Sequence, residues 1–140
     1  MKQLIIDRSK WRTGNDGEHQ TGEGDTRLIN KQGYMCCLGF YMRDLANIDE
    51  NVLLNEATPA HAAHVGIAKD FYNQNEDVKL LVTNIGDNDY FDTDFCGNAM
   101  KTNDNPGITS DEREGCVKAL FLNEGVEVSF INEYHKPNKK

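Results

Sequence analysis

The stretch Thr109-Ser110-Asp111-Glu112-Arg113-Glu114-Gly115-Cys116-Val117-Lys118-Ala119-Leu120-Phe121-Leu122-Asn123-Glu124-Gly125-Val126-Glu127-Val128-Ser129-Phe130 decides the fold class. It opens on Thr109 with Glu112 three residues on, the capping-box pair in which each side chain satisfies the other residue's free amide. Cys116, Val117, Leu120 and Phe121 then supply an apolar stripe at helical spacing. Gly125 stops the helix, because glycine adopts the left-handed backbone at no steric cost. From Val126 the period changes to two, with Val126, Val128 and Phe130 alternating against Glu127 and Ser129, so this segment is a half-buried strand.

Working outward, Lys2–Arg8 reads as a second strand centred on Leu4-Ile5-Ile6. Arg27-Leu28-Ile29-Asn30 reads as a further short strand. In Met35–Ala46, Leu38, Tyr41, Met42 and Leu45 mark one helical face, while Cys36, Cys37 and Phe40 make the other side apolar, so this helix is buried nearly all round. Gly39 within it costs about 1 kcal/mol against alanine, which is explained by close approach of another element. Thr58-Pro59 is an N-cap with proline at the first helical position, opening a helix that presents Ala60, Ala63, Ile67 and Phe71. The branched run Val78–Ile85 reads as a strand, and Phe91, Phe95 and Ala99 fit one helical face. Asn103–Gly107 is a turn cluster. Gly14–Asp25 has no apolar residue and four glycines, so a mobile loop is expected. The expectation is a single α+β domain over 1–135 with a basic tail at 136–140. Its short, mostly antiparallel sheet includes both terminal strands and is covered by three to four helices.

Composition narrows the function classes. The chain has 140 residues, one domain's worth, with 15 basic against 23 acidic side chains and a net charge of -8. At 38% hydrophobic residues it is too apolar for a disordered chain, and no apolar run reaches the ~18–20 residues that span a bilayer. Asp7 arrives too early for a signal peptide, so a cytosolic location is expected. The acidic excess argues against direct nucleic-acid binding, which needs a basic face. The four cysteines show neither CxxC nor zinc spacing and read as buried structural thiols.

Chemistry-bearing patterns are few. Cys36 or Cys37 at a helix start, with His61, His64 or His135 downstream, has the chain order of a cysteine hydrolase, but bulky apolar neighbours and no local signature leave it the least favoured reading. His61 and His64 lie one turn apart without the further ligands a zinc site needs, and His64, beside Ala60 and Ile67, reads as a core histidine. Asp87–Asp94 carries four carboxylates, but Asp92 and Asn98 stand where a calcium loop needs glycine and glutamate. No catalytic residue, metal or cofactor is therefore assigned. Binding is assigned to Trp11 and Arg12, to Tyr90 and Phe91 within the acidic loop, and to Asn103, Asp104 and Asn105. An alternative ligand is a small nucleotide, for which Arg8, Lys10, Trp11 and Arg12 combine charge and stacking.

Gly33-Tyr34-Met35-Cys36-Cys37-Leu38-Gly39-Phe40, Asn103-Asp104-Asn105-Pro106, and Asp111-Glu112-Arg113-Glu114 leading to Gly125–Phe130 together resemble a family of small uncharacterised bacteriophage and prophage proteins. The opening strand followed by Trp11-Arg12-Thr13-Gly14 is similar too, whereas about 47–94 lies outside the resemblance. The resemblance implies a phage accessory product in the host cytoplasm and carries over no activity. The expected function is non-enzymatic binding of a host protein, to inhibit a defence system or redirect host machinery.

Overall fold

The computed structural model describes residues 1–14, 19–86 and 89–136. Strand β1 (Lys2–Asp7) pairs along its whole length with β4 (Val126–Ile131), Lys2 opposite Val126 and Asp7 opposite Ile131. Alternation sends Leu4, Ile6, Val126 and Val128 inward, where each is essentially without solvent contact. At about 1.5–3 kcal/mol per fully buried side chain, this row is a main anchor of the fold. The two terminal strands do pair, but in parallel, with the rest of the chain as the crossover between them. A second, separate pair, β2 (Val82–Asn84) and β3 (Tyr90–Asp92), is antiparallel. The class is α+β, with seven α-helices among the described residues.

Helix α1 (Cys37–Asp44) passes beneath β1 and is buried from Cys37 through Met42. A Cβ added at Gly39 would sit 1.9 Å from the Leu28 carbonyl oxygen, so the expected close approach is that of the Arg27–Asn30 segment. That segment forms no strand. Ile29 makes one isolated bridge to Leu54, and Leu28 donates its N–H to Glu56 O. After α2 (Glu50–Leu53), Thr58 caps α3 (Pro59–Gly66) by accepting from His61 N. Ala60, Ala63 and Ile67 are buried as expected, but the helix ends at Gly66 and Phe71 lies exposed on the separate α4 (Lys69–Asn73).

The strand expected over Val78–Ile85 is half helix. Asn75 accepts from the amides of Asp77 and Val78, and two acids occupy the first turn, so α5 (Glu76–Leu81) forms before the chain extends into β2. Helix α6 (Asp94–Asp104) starts later than Phe91 and runs into the expected turn, absorbing Asn103 and Asp104. The capping box of α7 (Ser110–Leu122) is formed on both sides. Its buried stripe is Arg113, Val117 and Phe121; Cys116 faces solvent and Leu120 is half-buried. Within the expected mobile loop, residues 15–18 lie outside the described residues. The remainder is anchored: Thr21 is buried, exchanges backbone bonds with Thr13, and donates its hydroxyl to Trp11 O. Of the basic tail, 137–140 lie outside the described residues.

Candidate functional site

Asn103 is the hub of the interior. Its Oδ1 accepts from Trp11 Nε1 at 2.7 Å and from Cys37 N at 3.0 Å, so one amide oxygen holds the indole and caps the start of α1. Its Nδ2 donates to Arg12 O and to Asp104 Oδ1, each at 3.0 Å. Its carbonyl accepts from Gly14 N and from Nε of the wholly buried Arg113. Trp11 is 0% exposed and lies stacked between Asn103's helix and the rings of Phe130 and Tyr134. The expectation that Trp11 and Asn103 form a surface is therefore corrected: their polar atoms are consumed inside the protein.

The flanking bases are committed as well. Arg12 is buried and gives Nε to Gly24 O and Nη1 to the carbonyls of Thr13 and Gly14, tying the glycine-rich loop down. Arg8 makes a two-pronged ion pair with Glu114 at 2.7 and 2.8 Å, and its guanidinium lies over Phe130 and Tyr134. The Glu114 hydrogen bonds hold Arg8 firmly in its charged form. Burial pushes Glu114 up, but hydrogen bonds from Arg8 and Tyr134 outweigh it and bring its carboxyl below the ordinary range. Lys10 sits over the Tyr34 ring. The nucleotide pocket expected from Arg8, Lys10, Trp11 and Arg12 is thus not assembled: Arg8 and Trp11 meet on the same rings, Phe130 and Tyr134, but Trp11 and Arg12 are buried and Arg8 is held by Glu114. Asp104 is half-buried, and burial raises its pKa; Asn105 is exposed in the turn that follows.

Tyr90 and Phe91 fall on opposite faces of β3. Tyr90 is buried between the His64 and Tyr72 rings, both meeting it edge-on, which corrects its assignment to the surface. Phe91 is 55% exposed. Register places it opposite Thr83, and the Ile85 N–H to Asp89 O bond continues the ladder, so Thr83, Ile85, Asp89 and Phe91 share the outer face. Ile85 is 62% exposed and sits diagonally across from Phe91. Sequence reading missed Ile85, because it lies inside the branched run Val78–Ile85 that reads as one strand. Asp87 and Asn88 of this hairpin lie outside the described residues.

The thiols do not make a nucleophile. Cys36 and Cys37 are buried at the start of α1, where burial pushes Cys36 up to about 12 and Cys37 well above its usual value. Burial raises Cys96 likewise, whereas Cys116 is exposed, contrary to the expectation that all four are buried. His64 is exposed on α3 and meets Tyr90, correcting its reading as a core histidine. Among the described residues no group of three or more His, Cys, Asp or Glu side chains is arranged to hold a metal ion, and no helix is long and apolar enough to cross a membrane. No protein-family model, curated protein or solved structure matches the chain.

Proposed function

We propose that the chain is a non-catalytic phage accessory protein that binds a host protein through the outer face of the β2–β3 hairpin, inhibiting a defence system or redirecting host machinery. The observation that supports this reading is the pair Phe91 and Ile85, 55% and 62% exposed on one face of a short hairpin. Exposing an aromatic and a branched side chain side by side forgoes burial worth about 1.5–3 kcal/mol each, a cost a partner surface returns. Phe91 also differs from Trp11 and Tyr90 in having its ring free to enter a pocket, as interface anchors do. The acidic neighbour Asp89 on the same face suits a partner with a basic rim.

The test is capture of host protein on immobilised wild-type chain against Phe91→Asp and Ile85→Asp. Loss of capture with an unchanged melting temperature is the expected result. Capture that survives both substitutions overturns the hairpin as the binding face.

A further inference from the structure

Among the described residues there are four strand edges, and three are hydrogen-bonded or covered by the chain itself. On β2, Tyr72 lays its hydroxyl across the outward groups, donating to Val82 O at 2.9 Å and accepting from Asn84 N at 3.1 Å. On β3, α3 packs against the strand, Tyr90 is buried, and Asp92 Oδ1 takes the Ala60 N–H at 2.9 Å. On β4, the residues whose backbone points away from β1 include Val126 and Val128, each 1% exposed beside α7.

β1 is different. Lys2 N–H donates to Gly125 O, so in the parallel ladder Lys2, Leu4 and Ile6 turn their backbone groups toward β4. Gln3, Ile5 and Asp7 turn theirs the other way. Among the described residues Gln3 and Ile5 have no backbone partner on that side, Gln3 is exposed, and Ile5 is 51% exposed. The strand carries no proline and no bulge, two of the devices that blunt an open edge, and its charges stand at its ends, Lys2 being taken up by Asp77.

We propose that this edge pairs with the β1 edge of a second copy, antiparallel and centred on Ile5, to give one continuous four-stranded sheet. The parity fits an isologous contact. A two-fold axis through Ile5 sets Ile5 against the partner's Ile5 and Gln3 against the partner's Asp7, and these are the residues whose N–H groups point outward. The side chains on the exposed face match as well. Asp7 uses Oδ1 for Ser9 N, Ser9 Oγ and Asn132 Nδ2, leaving Oδ2 for a donor from across the axis. Gln3 Nε2 spends one N–H on Glu127 Oε1 at 2.9 Å and has a second to give. The two Ile5 side chains meet at the axis, removing exposed apolar surface. One strand edge buries less than the ~1,200 Å² of a standard interface, so the dimer is a weak one. The Phe91 face plays no part in this contact, so the proposal stands independently of the host-binding reading.

Sedimentation velocity over about 10 μM to about 1 mM tests it, together with residue-resolved amide exchange at both ends of the series. Concentration-dependent dimerisation is expected, with the amides of Ile5 and Asp7 slowing as dimer forms while those of Leu4 and Ile6 stay protected throughout. Ile5→Lys, a solvent-facing change that sets two like charges on the axis, raises Kd by about tenfold or more, and Gln3→Lys, facing Asp7, lowers it a few-fold. A chain that stays monomeric to about 1 mM, or a dimer indifferent to Ile5→Lys, overturns the proposal.

Discussion

Asn103 shows how one side chain can hold several parts of a small protein together. Replacing it with alanine leaves the Trp11 indole N–H and the Cys37 amide buried without acceptors. At about 1–3 kcal/mol for each unsatisfied group, Asn103→Ala costs about 2–6 kcal/mol, read by urea unfolding. Asn103→Asp is the sharper test. It keeps the acceptor for Trp11 and Cys37 but loses the donors to Arg12 O and Asp104, and places a second carboxylate against the first. It should therefore destabilise at neutral pH and recover part of that loss as acid protonates the pair. This role was not legible in the sequence. Lys10-Trp11-Arg12 looks like a surface because both neighbours are bases, yet Arg12's five donors are what allow it to be buried against loop carbonyls. Asn103 reads as a turn residue because Asn-Asp-Asn-Pro usually is one, and only the partners brought 92 residues across the chain reveal the other use.

Elements were legible where local chemistry alone decides them. The Thr109–Glu112 capping box, the Thr58-Pro59 start and the Gly125 stop depend on neighbours within four residues, and each forms as read. Val78–Ile85 failed because Asn75 and two acids at the start of α5 outweigh the branched residues after them. Gly39 yields an element-scale prediction. An exposed helix gains about 1 kcal/mol from Gly→Ala, but here the methyl meets the Leu28 carbonyl, so Gly39→Ala should destabilise by about 3 kcal/mol or more, seen as a fall in melting temperature. The Arg8–Glu114 pair pins the start of the chain to α7. Glu114 is held below the ordinary carboxyl range in the folded protein, so the stability it contributes is present above its unfolded value and lost as pH falls through its folded one. Glu114→Gln should cost about 1–2 kcal/mol at neutral pH, and the gap to wild type should close as melts are taken below pH ~4.

For the whole molecule, that the two terminal strands meet was readable from their patterns, but their parallel sense was not, because strand direction is set by the path of the helices between them. What this topology does is close the chain on itself: unpairing β1 from β4 uncovers Leu4, Ile6, Val126 and Val128 together with the face of α1. Cys36 and Cys37 sit at the head of that helix, and Cys96 lies buried on α6, which packs against it. Cys36 and Cys37 line only a small cleft beside Asp104, too narrow for a bulky reagent, so these thiols react on cooperative opening, and burial keeps them protonated as well. Cys116, on the solvent side of α7, is exposed. A chromogenic disulfide reagent at neutral pH should titrate Cys116 rapidly and the other three together, at a rate that rises with urea in step with global unfolding. Cys116→Ser should remove the fast phase and leave the slow one unchanged. Fast labelling of Cys36 or Cys37 in the native protein would show that the head of α1 opens independently of the core, and would restore the nucleophile reading that their burial argues against.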